Sequence, residues 1–312
     1  MKDLLRTQDL SRDDVELLLE TAAAFAKEPL RSKSALANKS VAIYMTKPST
    51  RTRLSSETAV AHLGGVPIFI RGDELQLGRG ETIADTAKII SGYCSALIIR
   101  TFAQSDVDEL GKHASIPVIN ALTDDDHPTQ LLADWLTIRE NFGKDIAGRK
   151  FVYLGDGNNM SHAWLIMGAI MGAHVVAATP SGKWAPDQKT VEIAKNIAAK
   201  SGGKVEVSHD PEAASKDASV LYTDVWMSMG DSESERDEKV LALSPFAVTE
   251  NLFSLTNKDS IFMHCLPAHR GEEVEASVID GPRSVIWREA YHRRTTIQSL
   301  LFHLTQGDLK GN

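Results

Sequence analysis

The sequence predicts an α/β protein of two domains, each a parallel sheet flanked by helices. Three observations carry that prediction. Short apolar runs alternate with amphipathic stretches, the alternation restarts near Lys150, and 312 residues amount to about two domains at roughly 150 residues each. A hydrophobic fraction of 42% gives each half enough apolar material for a core, so disorder is not expected.

Along the chain, Ser11-Arg12-Asp13-Asp14 has the form of a capping box, and Val15, Leu18, Leu19, Ala22 and Phe25 follow at helical spacing. Strands are expected at 40–45, 66–70, 96–99 and 117–120, with helices starting near Thr50, Glu81, Ser105 and His127. The second half repeats the scheme. Its strands are expected at 150–154, 174–178, 204–207, 220–222 and 260–263, and its helices at 159–171, 187–200 and 290–304. The stretch 141–145 reads as the junction, because Gly143 can end a helix and Gly148 precedes the next strand. Residues 231–239, mixed in sign and interrupted by serines, read as a mobile surface loop.

Charge and cysteine content narrow the function classes. With 34 Lys+Arg against 42 Asp+Glu the formal charge is −8, which argues against a nonspecific nucleic-acid or anionic-membrane binder while leaving room for a local basic pocket. No uninterrupted apolar run approaches the roughly 20 residues of a membrane span. The first residues carry acids at once and no apolar core of a secretory signal. Cys94 and Cys265 are too few and too far apart for a disulfide scaffold, and a cytoplasmic location is expected.

In parallel sheets ligands bind beyond the carboxyl ends of strands. After the first strand, Ser49 can cap a helix whose N–H groups would face an anion, with the hydroxyls of Thr50 and Thr52 and the guanidinium of Arg51 completing a phosphate cradle. A capped helix with two solvated arginines explains the same residues equally well; Arg51 and Arg53 point differently, so at most one serves a pocket. Arg100 ends a buried strand, where an unpaired charge would be costly, and His127-Pro128-Thr129-Gln130 follows another. Further on, Gly155-Asp156-Gly157-Asn158-Asn159-Met160 invites a dinucleotide reading. Met160 replaces the third glycine and the next strand ends without a ribose-binding acid, so a nicotinamide cofactor is disfavoured; the turn suits a carboxylate, or Asn158 is simply a cap. Asp224 and the His264-Cys265-Leu266-Pro267 run follow two later strands. His264, Cys265 and His269 lack metal-ligand spacing, so no metal is expected; a Cys265 nucleophile with His127 or His264 as base and a buried, inert thiol both remain open.

Together Ser49-Thr50-Arg51-Thr52-Arg53, Gln76-Leu77-Gly78, Arg100, His127-Pro128-Thr129-Gln130, Asn158-Asn159-Met160, Asp224-Val225-Trp226, Ser228-Met229-Gly230 and His264-Cys265-Leu266-Pro267 resemble the transcarbamoylase family over nearly the whole chain. The resemblance implies a carbamoyl phosphate-binding domain at 1–140, with a C-terminal helix at about 290–306 returning to it, and an acceptor-binding domain at 148–288. It implies that Ser49, Thr50, Arg51, Thr52, Gln76, Arg100, His127, Gln130, Cys265, Leu266 and Arg293 bind carbamoyl phosphate, with Arg51, Arg100, His127 and Cys265 catalytic. No cofactor or covalent intermediate is required. A homotrimer, or a multiple of trimers, with active sites at subunit boundaries is also implied.

Within that family the acceptor points to L-ornithine, through Asn159, Asp224, Ser228 and Met229. An aspartate-using relative needs cations for a second carboxylate, whereas residues 224–230 offer an acid and neither Arg nor Lys. Putrescine, an acylated ornithine and, from another class, a nucleotide-binding oxidoreductase are the competing readings. Two departures stand out. Ser56 replaces a common Phe, and 288–294 reads Arg-Glu-Ala-Tyr-His-Arg-Arg where Gln-Ala-Glu-Asn-Arg is usual, aligning Arg293 with the family arginine but leaving Arg294 beside it.

Overall fold

Every apolar run assigned above to a strand forms one, and all nine strands of the described residues pair in parallel. The computed structural model describes residues 1–74, 80–146, 148–227 and 232–312. Two compact units result: Met1–Leu136 with Tyr291–Asn312, and Thr137–Ala290.

In the first unit the capping box forms as expected. Ser11 Oγ accepts the Asp14 N–H and Asp14 accepts the Ser11 N–H, both at 3.1 Å, opening helix α1 (Arg12–Lys27). Asp14 also accepts the N–H groups of Lys310 (2.8 Å) and Gly311 (2.9 Å), so the same carboxylate anchors the end of the chain. Strands β1 (Ser40–Met45), β2 (Val66–Arg71), β3 (Ala96–Arg100) and β4 (Val118–Leu122) lie in the order β2-β1-β3-β4. Helices α2 (Thr50–His62), α3 (Ile83–Tyr93) and α4 (Gln104–His113) connect them, and α5 (Pro128–Phe142) follows β4. Ala42, Leu97, Ile99, Val107, Leu110 and Val118 pack together in the core beneath these helices.

The second unit orders its strands β7-β6-β5-β8-β9, with β5 (Lys150–Leu154), β6 (His174–Ala178), β7 (Lys204–Ser208), β8 (Ala218–Thr223) and β9 (Ile261–His264). Its helices are α6 (Asn159–Ile170), α7 (Gln188–Ser201), α8 (Pro211–Ser215), α9 (Arg236–Leu243), α10 (Glu250–Ser254) and α11 (Ala276–Ile279). Helix α12 (Ile286–Gln306) begins in this unit, where Arg288 grips Glu140 at 2.6 and 2.7 Å, and from Tyr291 onward belongs to the first. There Gln298 donates to the Pro29 carbonyl (2.7 Å) and Ser299 to that of Leu18 (2.8 Å). The C-terminal helix thus returns to the first unit.

Two details differ from the sequence expectation. The division of units falls inside α5, a few residues before 141–145, where Gly143 ends the helix at φ +79°. Residues 236–239, the end of the stretch expected as a mobile loop, instead open helix α9 (Arg236–Leu243), in which Lys239 is buried and pairs with Asp156 at 2.7 Å. A charge whose partner lies 83 positions away looks solvated in a linear reading.

Both sheets are doubly wound. In the first the chain leaves β1 toward β2 on one side and β3 toward β4 on the other, placing the switch point between β1 and β3; in the second it lies between β5 and β8. Crevices for ligands form at the carboxyl ends of such strand pairs. Residues expected from the sequence to carry chemistry follow β1, β3, β5 and β8 at these points, and His127 and Cys265 follow the neighbouring strands β4 and β9.

Gly168 lets α6 lie close on β6: a Cβ there would sit 2.1 Å from Val175 Cγ1. Gly168→Ala is expected to destabilise the protein by about 1–2 kcal/mol net, overpacking of up to ~3 kcal/mol outweighing the ~1 kcal/mol that alanine gains in a helix. Urea unfolding checks this; an undiminished midpoint would contradict the packing.

Candidate active site

The turn after β1 is shaped by capping. Ser49 Oγ accepts the Thr52 N–H at 3.3 Å, which starts α2 and leaves its first N–H groups at the strand ends. Arg53 stacks on Phe69, 3.8 Å from the ring centroid, and donates to Glu57 at 3.1 Å, so it serves the structure. Arg51 is turned elsewhere, close enough to His127 to act on its ionisation. Thr50, the first helical residue, is exposed, and Thr52 is fully buried. Lys47, which the sequence reading passed over, is buried beside Asp124 and lies 4.2 Å from the Phe102 ring centroid.

Arg100 ends β3, and its carbonyl accepts both the Thr46 N–H (3.0 Å) and the Thr46 hydroxyl (3.3 Å), locking the two switch-point strands together. His127 is buried just before α5. Burial and then the cations of Arg293, Arg100 and Arg51 hold its pKa well below 6.5, so the imidazole is neutral in the folded protein. A neutral imidazole keeps one N–H to donate. Asp126, next to it, accepts from the Thr7 N–H and hydroxyl and from the His127 N–H, yet burial raises its carboxyl to about 6.

Arg293 and Arg294 part company. Arg293 is buried, donates to Gln130 Oε1 and reaches the hydroxyls of Thr52 and Thr129 at 3.5 Å; Gln130 in turn donates to Asp134 at 2.7 Å. Arg294, one position or about 100° round the helix, meets His62 (3.2 Å), Gln298 (2.9 Å) and Tyr291 (2.8 Å). The first unit therefore gathers Ser49, Arg51, Thr52, Arg100, His127, Gln130 and Arg293 on neighbouring strand ends and the facing helix. Such a group can bind a dianion and polarise a carbonyl.

In the second unit the glycines after β5 have local reasons. Gly155 adopts φ +130°, and a Cβ on Gly157 would lie 2.2 Å from the Ala185 carbonyl carbon. Close backbone packing, not a dinucleotide, explains Gly157. Asn158 caps α6, accepting the N–H groups of Met160 (2.9 Å) and Ser161 (3.2 Å), and takes a further bond from the Tyr153 hydroxyl (3.1 Å). Its Nδ2 donates to Asp224 Oδ2 at 3.3 Å. Asp224 Oδ1 accepts the Val225 N–H (2.8 Å) and the Cys265 thiol (2.9 Å). Asn158 and Tyr153 were not singled out as site residues, since a cap and a core tyrosine look ordinary in sequence. Asn159 opens α6 beside this cluster.

The donor atoms of Asp224, His264 and Cys265 lie within 4.8 Å of one another. His264 Nδ1, however, accepts the Leu266 N–H (2.8 Å) and Nε2 faces Glu273 Oε1 (3.2 Å), which commits the ring to the fold. Neither cysteine is in a disulfide. Gln76, Ser228 and Met229 lie outside the described residues.

Comparison with known proteins places both units. Residues 2–140 match the model of the aspartate/ornithine carbamoyltransferase carbamoyl-P binding domain, and residues 147–304 that of the aspartate/ornithine carbamoyltransferase Asp/Orn binding domain. The chain is 48% identical over 308 residues to an ornithine carbamoyltransferase of Pyrococcus horikoshii, covering 98% of this chain and 96% of that one. An anabolic ornithine carbamoyltransferase of Pyrococcus furiosus is 47% identical over 311 residues, covering 99% and 98%. Among solved structures, ornithine carbamoyltransferase from Pyrococcus furiosus superposes with a TM-score of 0.92 at 46% identity, covering 99% of this chain and 98% of that one. The ornithine transcarbamoylase of Giardia lamblia gives 0.90 at 34% identity and 99% coverage of both.

The depressed pKa of His127 has a thermodynamic consequence. Above 6.5 both folded and unfolded states are neutral at this site; below it the unfolded chain takes up the proton first, so stability is lost as pH falls from 6.5 toward the native value. The unfolding free energy of the native protein minus that of a His127→Gln variant should decrease over that range. A flat difference, or an imidazole that titrates at 6.5 by NMR, would contradict the assignment.

Proposed function

The chain belongs to the aspartate/ornithine carbamoyltransferase family, and from that premise we infer that it is an ornithine carbamoyltransferase. It moves the carbamoyl group of carbamoyl phosphate to the δ-amino group of L-ornithine, giving L-citrulline and phosphate. One observation within the chain carries the acceptor: Asp224, held by Asn158 and the Cys265 thiol, is an acid where an aspartate-using enzyme would need a cation.

We assign the phosphate to the α2 N-terminus, with Ser49, Thr50, Arg51 and Thr52 around it and Arg293 approaching from α12. Arg100, His127 and Gln130 take the carbamoyl end. As the amine attacks, the carbonyl oxygen gains negative charge; Arg100 and the His127 N–H are fixed there and stabilise it without reorganising. Phosphate departs into a site already lined with guanidinium groups. By the family resemblance Gln76, Cys265 and Leu266 also belong to the carbamoyl phosphate-binding set, Cys265 and Leu266 contacting the side-chain amine region of the acceptor.

Ornithine presents an ammonium, a carboxylate and a side-chain amine that must lose its proton to attack. Asp224 suits the ammonium, while Asn159, Ser228 and Met229 suit the amino-acid end. Cys265, hydrogen-bonded to Asp224, is placed to orient the attacking amine and help remove its proton. Orientation of two reactants and electrostatic stabilisation then suffice for catalysis.

We further propose a cytoplasmic homotrimer acting in arginine biosynthesis. The anabolic designation of the Pyrococcus furiosus relative supports the direction. No helix among the described residues is long and apolar enough to cross a membrane. Edge strand β2 exposes Val66 and Ile68, and Leu54, Ile89 and Tyr93 of the same unit are also exposed, apolar side chains that association would cover.

A citrulline assay with carbamoyl phosphate and a panel of amines should show turnover with L-ornithine; product from putrescine or an acylated ornithine instead would overturn the acceptor. Arg51→Ala should weaken carbamoyl phosphate use by about 10–100-fold, the equivalent of a lost charge-assisted contact of roughly 1.5–3 kcal/mol. Asp224→Asn should impair ornithine kinetics far more than those of carbamoyl phosphate. Sedimentation should give a mass three times that of the chain, or a multiple of three.

A further inference from the structure

Between β9 and the Cys265–Leu266 pair lies a buried relay outside the assigned site. His264 and Glu273 side chains are both fully buried, with imidazole Nε2 3.2 Å from Glu273 Oε1. The His264 N–H donates to Glu289 Oε2 at 3.0 Å, and Glu273 also accepts the His269 N–H at 2.5 Å. On the other side of the ring, Nδ1 stands 2.8 Å from the Leu266 backbone nitrogen.

A backbone N–H can only donate, so His264 Nδ1 carries no proton and the ring proton sits on Nε2, facing the carboxylate of Glu273. Glu273 thereby selects the tautomer that leaves a lone pair for Leu266. That bond restrains an uncommon backbone, since Leu266 has φ +59°, a conformation that costs a side chain-bearing residue energy and persists where its surroundings hold it. The peptide between Cys265 and Leu266 is planar and trans, so fixing its N–H toward His264 turns the Cys265 carbonyl to the opposite side.

We propose that His264 is a positioning residue: its Nδ1 lone pair, secured by Glu273, sets the Cys265–Leu266 peptide and so the geometry in which those residues meet the reacting carbamoyl group and amine. This rests on the assignment of Cys265 and Leu266 to the site.

Two variants separate the halves of the relay. Asparagine at 264 can place Oδ1 where Nδ1 stands and keep the acceptor for Leu266 while losing Glu273. Glutamine reaches toward Glu273 but loses the acceptor. His264→Asn should therefore retain kcat within about tenfold, whereas His264→Gln should lose about 100-fold or more, the scale set by a misplacement near 1 Å. Their thermal midpoints should not follow that order. Ring ¹⁵N spectra of the native enzyme, assigned by loss of a resonance in His264→Asn, should show Nδ1 unprotonated; a protonated Nδ1 overturns the proposal whether or not the variants fold. An unimpaired Cys265→Ala enzyme would refute the assignment of this pair to the site and the strut with it. An impaired Cys265→Ala enzyme beside equal activities of His264→Asn and His264→Gln would refute the strut alone.

Discussion

Three guanidinium groups act on one buried imidazole. Arg51 comes from the start of α2, Arg100 from the end of β3 and Arg293 from α12, and together with burial they hold His127 uncharged. Crowding like charges at a buried site costs free energy, and the dianion proposed to bind there would offset it. Parallel strands bring two loop ends side by side, a capped helix supplies N–H groups, and the C-terminal helix returns to add the third guanidinium. The anchoring of Lys310 and Gly311 by Asp14, and of Gln298 and Ser299 by the backbone near α1, fixes the helix that carries it.

The second unit solves the opposite electrostatic problem on the same architecture. Its switch point gathers an acid, an amide and a thiol: Asp224 accepts from Val225, Cys265 and Asn158, leaving a carboxylate of defined orientation. Cationic groups in one unit and an anionic group in the other match a phosphate donor and an amine acceptor.

Much of this was legible in the sequence, because it resides in local pattern. Alternating apolar runs, the Ser11/Asp14 box, the Ser49 cap and polar groups just past strand ends all depend on neighbours a few positions away. What stayed hidden depends on residues far apart. Lys239 pairs with Asp156 in a helix where a loop was expected, and the link from Cys265 to Asp224 spans 41 positions. Choosing between Arg293 and Arg294 required knowing which helix face meets Gln130. Likewise, a net charge of −8 says nothing of where Arg51, Arg100 and Arg293 come together around His127.

In the proposed site, Arg293 of α12, and not its neighbour Arg294, completes the anion-binding group. Equilibrium binding of carbamoyl phosphate, measured by calorimetry on Arg293→Ala and Arg294→Ala proteins, tests it directly. Affinity should fall by about 10–100-fold in the first, the scale of a charge-assisted hydrogen bond, and stay unchanged in the second. Equal affinities in the two, or a loss confined to Arg294→Ala, would remove Arg293 from the anion site.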